Sequence, residues 1–114
     1  MTCDMTDVPI GKPMLLHRAC PFPIEGMRFR ANARTVYDTS EVRLRIGVPG
    51  ETAVIDVALD EDDSVPTDPS WGVTLTAEQL DVSLSPRAEY VFVDADGVPL
   101  LYGAATMVDH PRAV

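Results

Sequence analysis

The residues best suited to chemistry in this chain sit in "VFVDADGVPLLYG" (91–103). Asp94 and Asp96 precede Gly97 in the manner of carboxylates heading a calcium loop. A helix-flanked loop of that kind needs oxygen ligands at positions 1, 3, 5, 7, 9 and 12, with glycine at 6. Counted from Asp94, Gly97 falls at position 4, Val98 at 5 and Ala105 at 12. The count fails, and the flanks alternate like strands. Asp-Gly between alternating apolar segments is instead a hairpin signal, because glycine takes φ > 0 freely. The stretch therefore predicts a turn with no bound metal.

The remaining candidates are weaker. His17 and Cys20 are spaced H-x-x-C and could join Cys3 and His110 around zinc. No Cys-x-x-Cys pair accompanies them, so isolated side chains are expected. "MTCDMTDVPIGK" is acidic and polar rather than basic then apolar, so we expect no secretory leader and free thiols. Asp60, Glu61, Asp62 and Asp63 could collect cations, but an acidic run in a loop is usually just solvated. The serines lack a Gly-x-Ser-x-Gly setting, and neither histidine has an evident partner. Trp71 could stack on a sugar; in a small sandwich it reads better as a core or rim plug. No convergent catalytic set can be drawn, so we expect no enzyme, metal or cofactor.

Arginine carries almost all the positive charge, since Lys12 is the only lysine. The net charge of −9 argues against nucleic-acid binding through phosphate neutralisation. It is unevenly spread: residues 1–50 carry +2 and residues 51–114 carry −11. Arg28, Arg30, Arg34, Arg43 and Arg45 fall at outward positions of alternating segments. They point either to salt bridges with Glu41, Asp56 or Glu89, or to an interface for an acidic partner. Arg28, Arg30, Arg43 and Arg45 are our candidate interface.

The elements that would position these residues are strands. "GMRFRANAR" (26–34) alternates Met27, Phe29, Ala31 and Ala33 against arginines, and "EVRLRIG" (41–47) alternates Val42, Leu44 and Ile46 against Glu41, Arg43 and Arg45. We expect these two to form a hairpin. "TAVIDVAL" (52–59), "WGVTLT" (71–76), "AEYVFVD" (88–94) and "VPLLYGAATMV" (98–108) read as strands, and "PMLLHRA" (13–19) as a weaker one. "CPFPIEG" (20–26) and "LDEDDSVPTDPSWG" (59–72) read as loops, and "VPGE" as a turn. "TAEQL" (76–80) suits one helical turn with Thr76 as N-cap. The 114 residues suit one domain: an arm (1–12), a sandwich (13–110) and a tail (111–114). The expected fold is an all-β, Ig-like antiparallel β-sandwich of about seven strands with one short helical turn. The expected core is Phe29, Val42, Leu44, Ile55, Val57, Leu75, Tyr90, Phe92 and Leu100. No apolar run is long enough for a membrane helix.

In order, "PIEGMRFRANAR", "VTLTAEQLDVSLSPRAEYVFV" and "DADGVPLLYGAATMV" resemble successive stretches of a small β-sandwich of tailed bacteriophages. That domain stands at the N-terminus of upper-baseplate and tail-fibre proteins. The resemblance covers roughly residues 13–108 and rests on spacing and turn residues. It implies a non-enzymatic virion protein that joins or anchors particle parts, assembled in the bacterial host cytoplasm. Its partners would be other virion proteins, in a homo-oligomer or many copies per particle, with no nucleic acid and no membrane. It also implies packing roles for Tyr90 and Gly103. Arg87 departs from the family, which often has glycine after the proline. The chain also stops where family members often continue into a fibre, which favours an adaptor, decoration or neck/tail component. A capsid decoration protein, or a glycan- or cation-binding sandwich, is the alternative.

Overall fold

The computed structural model describes residues 10–28, 30–31, 35–36, 41–62 and 70–108. Among them the strands are β1 (Met14–His17), β2 (Phe22–Met27), β3 (Arg30–Ala31), β4 (Thr35–Val36), β5 (Val42–Gly47), β6 (Ile55–Ala58), β7 (Asp60–Asp62), β8 (Ser70–Leu75), β9 (Glu89–Asp94) and β10 (Pro99–Val108). A five-stranded sheet runs β1-β10-β9-β5-β6, a three-stranded sheet runs β2-β8-β7, and β3 pairs with β4. The fold is all-β, and among the described residues no helix is long and apolar enough to cross a membrane.

The apolar alternation read from the sequence places the core. Val42, Leu44 and Ile46 of β5 are fully buried, and Tyr90 and Phe92 of β9 join them. The register sets Leu44 opposite Phe92 and Ile46 opposite Tyr90, so the inward residues of the two strands stack in pairs. Leu16, Ile24, Ile55, Leu59, Trp71, Leu75, Leu80 and Ala105 complete the cluster. Val57 and Leu100 are only partly buried against it. Leu100 lies at a register shift between Pro99 and Leu101, which breaks its strand's alternation. Phe29 lies outside the described residues.

Several expectations are corrected. The sandwich is not wholly antiparallel: β1 pairs with β10 in parallel, Met14 beside Ala105 and His17 beside Val108. β1 leads into β2 of the other sheet, so it joins β10 as a crossover rather than a hairpin. "CPFPIEG" is largely strand, not loop. Phe22 and Ile24 face Leu75 and Val73, and Pro23 is tolerated because β2 is an edge, where one row of N–H groups has no ladder to serve. Asp60–Asp62 of the expected acidic loop pairs with Gly72, Trp71 and Ser70 as the opposite edge. The expected hairpin between 26–34 and 41–47 does not form. β5 pairs instead with β6 and β9, whose apolar faces extend its own.

The turns follow their residue chemistry. In "VPGE", Glu51 N–H donates to the Val48 carbonyl at 3.0 Å with Gly50 at φ 88°. That is a type II turn, with proline and glycine at its two central positions. Thr76 and Gln79 exchange side-chain and backbone hydrogen bonds at 2.8 and 3.1 Å, a capping box around one helical turn. Leu80 N–H closes that turn on the Thr76 carbonyl at 3.0 Å, and the turn goes no further toward a helix.

Candidate interaction surface

The Asp94–Gly97 stretch is a hairpin turn between β9 and β10. Gly97 N–H donates to the Asp94 carbonyl at 3.0 Å, and Gly97 takes φ 81°. Neither Ala95 nor Asp96 has positive φ. The turn is therefore type I with a glycine bulge, rather than one needing φ > 0 at Asp96. The Asp94 carboxylate is buried, and its Oδ1 accepts from the backbone N–H groups of Asp96 and Val98, both at 2.9 Å. The sequence reading weighed Asp94 as a metal ligand and preferred a turn, and its Oδ1 serves the backbone of that turn. Among the described residues no group of three or more His, Cys, Asp or Glu side chains is placed to hold a metal ion. Cys20 is an exposed free thiol in the turn after His17, and Cys3 and His110 lie outside the described residues. Trp71 is buried in the core and has no open face for a sugar.

Tyr90 fastens the start of the described chain. Its hydroxyl donates to the Lys12 carbonyl at 2.7 Å, and Gly11 N–H donates to the Tyr102 carbonyl at 2.7 Å. Residues 11 and 12, read from sequence as arm, are thus held against the sheet. A Cβ at Gly103 would come within 2.9 Å of the Tyr90 ring, so the ring lies directly over that glycine. Burial raises the Tyr90 pKa and keeps the phenol a neutral donor.

The arginines divide. Arg43 and Arg45 share the outer face of β5, and Asp56 on β6 stands opposite Arg45. Asp56 takes Arg43 Nε at 2.9 Å through one oxygen and Arg45 Nε at 3.5 Å through the other. Glu41 adds a contact to Arg43 at 3.5 Å. The hydrogen bond and charge of Asp56, aided by Glu41, raise the Arg43 pKa. These two arginines therefore have carboxylates of their own chain beside them. Arg28 follows β2 and is exposed, and Arg30 lies on β3. Neither is on the strand pair that carries Arg43 and Arg45; Arg34 lies outside the described residues.

The sequence analysis missed the more distinctive feature of this sheet. On β9, Tyr90 and Phe92 face the core, so Val91 and Val93 lie on the other side of the sheet, where Val91 is half-buried and Val93 is covered. Tyr102 is the register partner of Val91, and Pro99 that of Val93. The outer face thus carries an apolar stripe beside the Arg45–Asp56 pair. The Val48–Val54 loop flanks it and, with the stripe, encloses a groove of about 560 Å³. Glu51 on the loop and Glu89 on β9 stand in its lining. The signal was present in "YVFVD", where valines occupy both outward positions, but period-two reading counted only the inward face.

No protein-family model, curated protein or solved structure matches the chain.

Proposed function

We propose that this protein is a non-enzymatic structural component of a tailed-phage virion, joining particle parts through protein–protein contacts in many copies. The setting rests on the resemblance of residues 13–108 to the phage baseplate and fibre sandwich. The observation that carries a binding role is the half-buried apolar stripe of Val91, Pro99 and Tyr102 on the outer side of the five-stranded sheet, over the buried Val93. A sheet face turned to water normally alternates to polar residues, and an apolar patch there marks a contact surface. Position in the tail, baseplate or neck, and assembly in the host cytoplasm, belong to the same reading.

The finer fold reading is Ig-like. The order β2-β8-β7 corresponds to strands B, E and D of an immunoglobulin sandwich, and β10-β9-β5-β6 to G, F, C and C′. β1 then lies on the G strand, and β3–β4 is an insertion between B and C. This strand order supports the assignment.

Mass spectrometry of purified particles from the producing host tests the proposal. The chain should co-purify at a fixed copy number through density-gradient banding. Its absence from banded particles overturns the virion reading.

A further inference from the structure

We infer that the groove over Val91, Pro99 and Tyr102 docks a partner protein through a segment in which arginine or lysine flanks an apolar side chain. The inference deepens the proposed protein-binding role and rests on it. The apolar floor calls for an apolar side chain, since burying it removes water from both surfaces. The groove's volume of about 560 Å³ suits a few side chains rather than a broad globular face.

Charge selects the flanking residues. The cations at the groove, Arg45 and its neighbour Arg43, already have Asp56 between them, with Glu41 beside Arg43. Glu51 and Glu89 line the same groove and, among the described residues, make no ion pair. The uncompensated charge at the rim is therefore negative, and a basic segment is attracted while an acidic one is repelled. This reverses the polarity expected from the arginines alone. The same carboxylates disfavour a nucleic-acid backbone.

The test uses the full chain, isotope-labelled, with two short synthetic peptides, one alternating valine with arginine and the other valine with glutamate. The arginine peptide should shift the amide resonances of Val91, Val93 and Tyr102, and the glutamate peptide should not. Glu51→Lys with Glu89→Lys should weaken binding by about tenfold or more. Raising salt from roughly 50 to 500 mM should weaken wild-type binding, a readout needing no variant. Equal binding of both peptides, shifts on another face, or an unaffected double variant overturns the inference. If the same resonances shift on concentrating the chain alone, a second copy is the occupant and the partner assignment is overturned. Particle incorporation without peptide binding sinks this inference alone, whereas peptide binding by a chain absent from particles sinks only the virion reading.

Discussion

At the scale of single residues, Asp94 anchors the turn that the sequence predicted at this place. One oxygen, Oδ1, receives both backbone N–H groups of the turn, from Asp96 and Val98. Asp94→Ala leaves these donors without that acceptor and should cost about 2 kcal/mol in denaturant unfolding. Asp94→Asn keeps an oxygen in the same place and should lose less. Equal losses for the two variants would show that the carboxylate charge, not the acceptor position, matters. The presence of a turn was legible because Gly97 is what a positive φ demands. Its anchoring by Asp94 was not, because an acidic residue at a strand end reads the same whether it serves a metal, water or its own backbone. Ala19 gives the converse case: it takes φ 59° between β1 and β2, with nothing in its residue type to announce it. Ala19→Gly should raise stability by about 0.5–1 kcal/mol, read as a higher denaturant midpoint at unchanged slope.

Among the elements, β5, β9 and β10 were readable because each is at least six residues long, is rich in apolar residues and is bounded by turn chemistry. β2 and β7 were hidden by composition. Prolines and a run of acids resemble a loop, yet both are acceptable at sheet edges, where prolines and charges also discourage association. Pairing was hidden for another reason. Alternation tells which side of a strand is apolar and not which neighbour it meets, so β5 was assigned to the wrong partner. The β2–β8 ladder shifts register between Ile24 and Met27, and Gly72 stands opposite that irregularity. A Cβ at Gly72 would approach the Ile24 carbonyl oxygen to 2.6 Å, a backbone atom with little freedom to retreat. Gly72→Ala should therefore destabilise by about 1–3 kcal/mol. A neutral result in thermal and denaturant unfolding would mean that the bulge relaxes freely. On β5, Arg43→Glu should lower the melting temperature, because it sets a third carboxylate beside Asp56 and Glu41. A charge-neutral Arg43→Gln should do so less.

Taken whole, the molecule is two sheets closed over a shared core, leaving one outer face partly apolar. Phe92 is central to that core, 1% exposed and in edge-to-face contact with Tyr90 at 5.8 Å between ring centroids. Phe92→Ala should cost about 3–5 kcal/mol, and a near-neutral value would show that its strand presents the other face inward. The inward face was legible from β9 alone. The groove was not, because its walls come from β5, β9, β10 and the Val48–Val54 loop, segments that approach one another only in the folded chain. Contact of this outer face with another protein is the proposal on which the function rests. The most direct measurement compares particle incorporation of Val91→Arg, inside the groove, with that of Thr74→Arg, exposed on the three-stranded sheet. Both variants should keep the wild-type circular dichroism spectrum, since neither position faces the core. We predict that Val91→Arg falls about tenfold or more in incorporation, as repulsion from a basic partner requires, while Thr74→Arg incorporates normally. Wild-type incorporation of a folded Val91→Arg protein would contradict the claim.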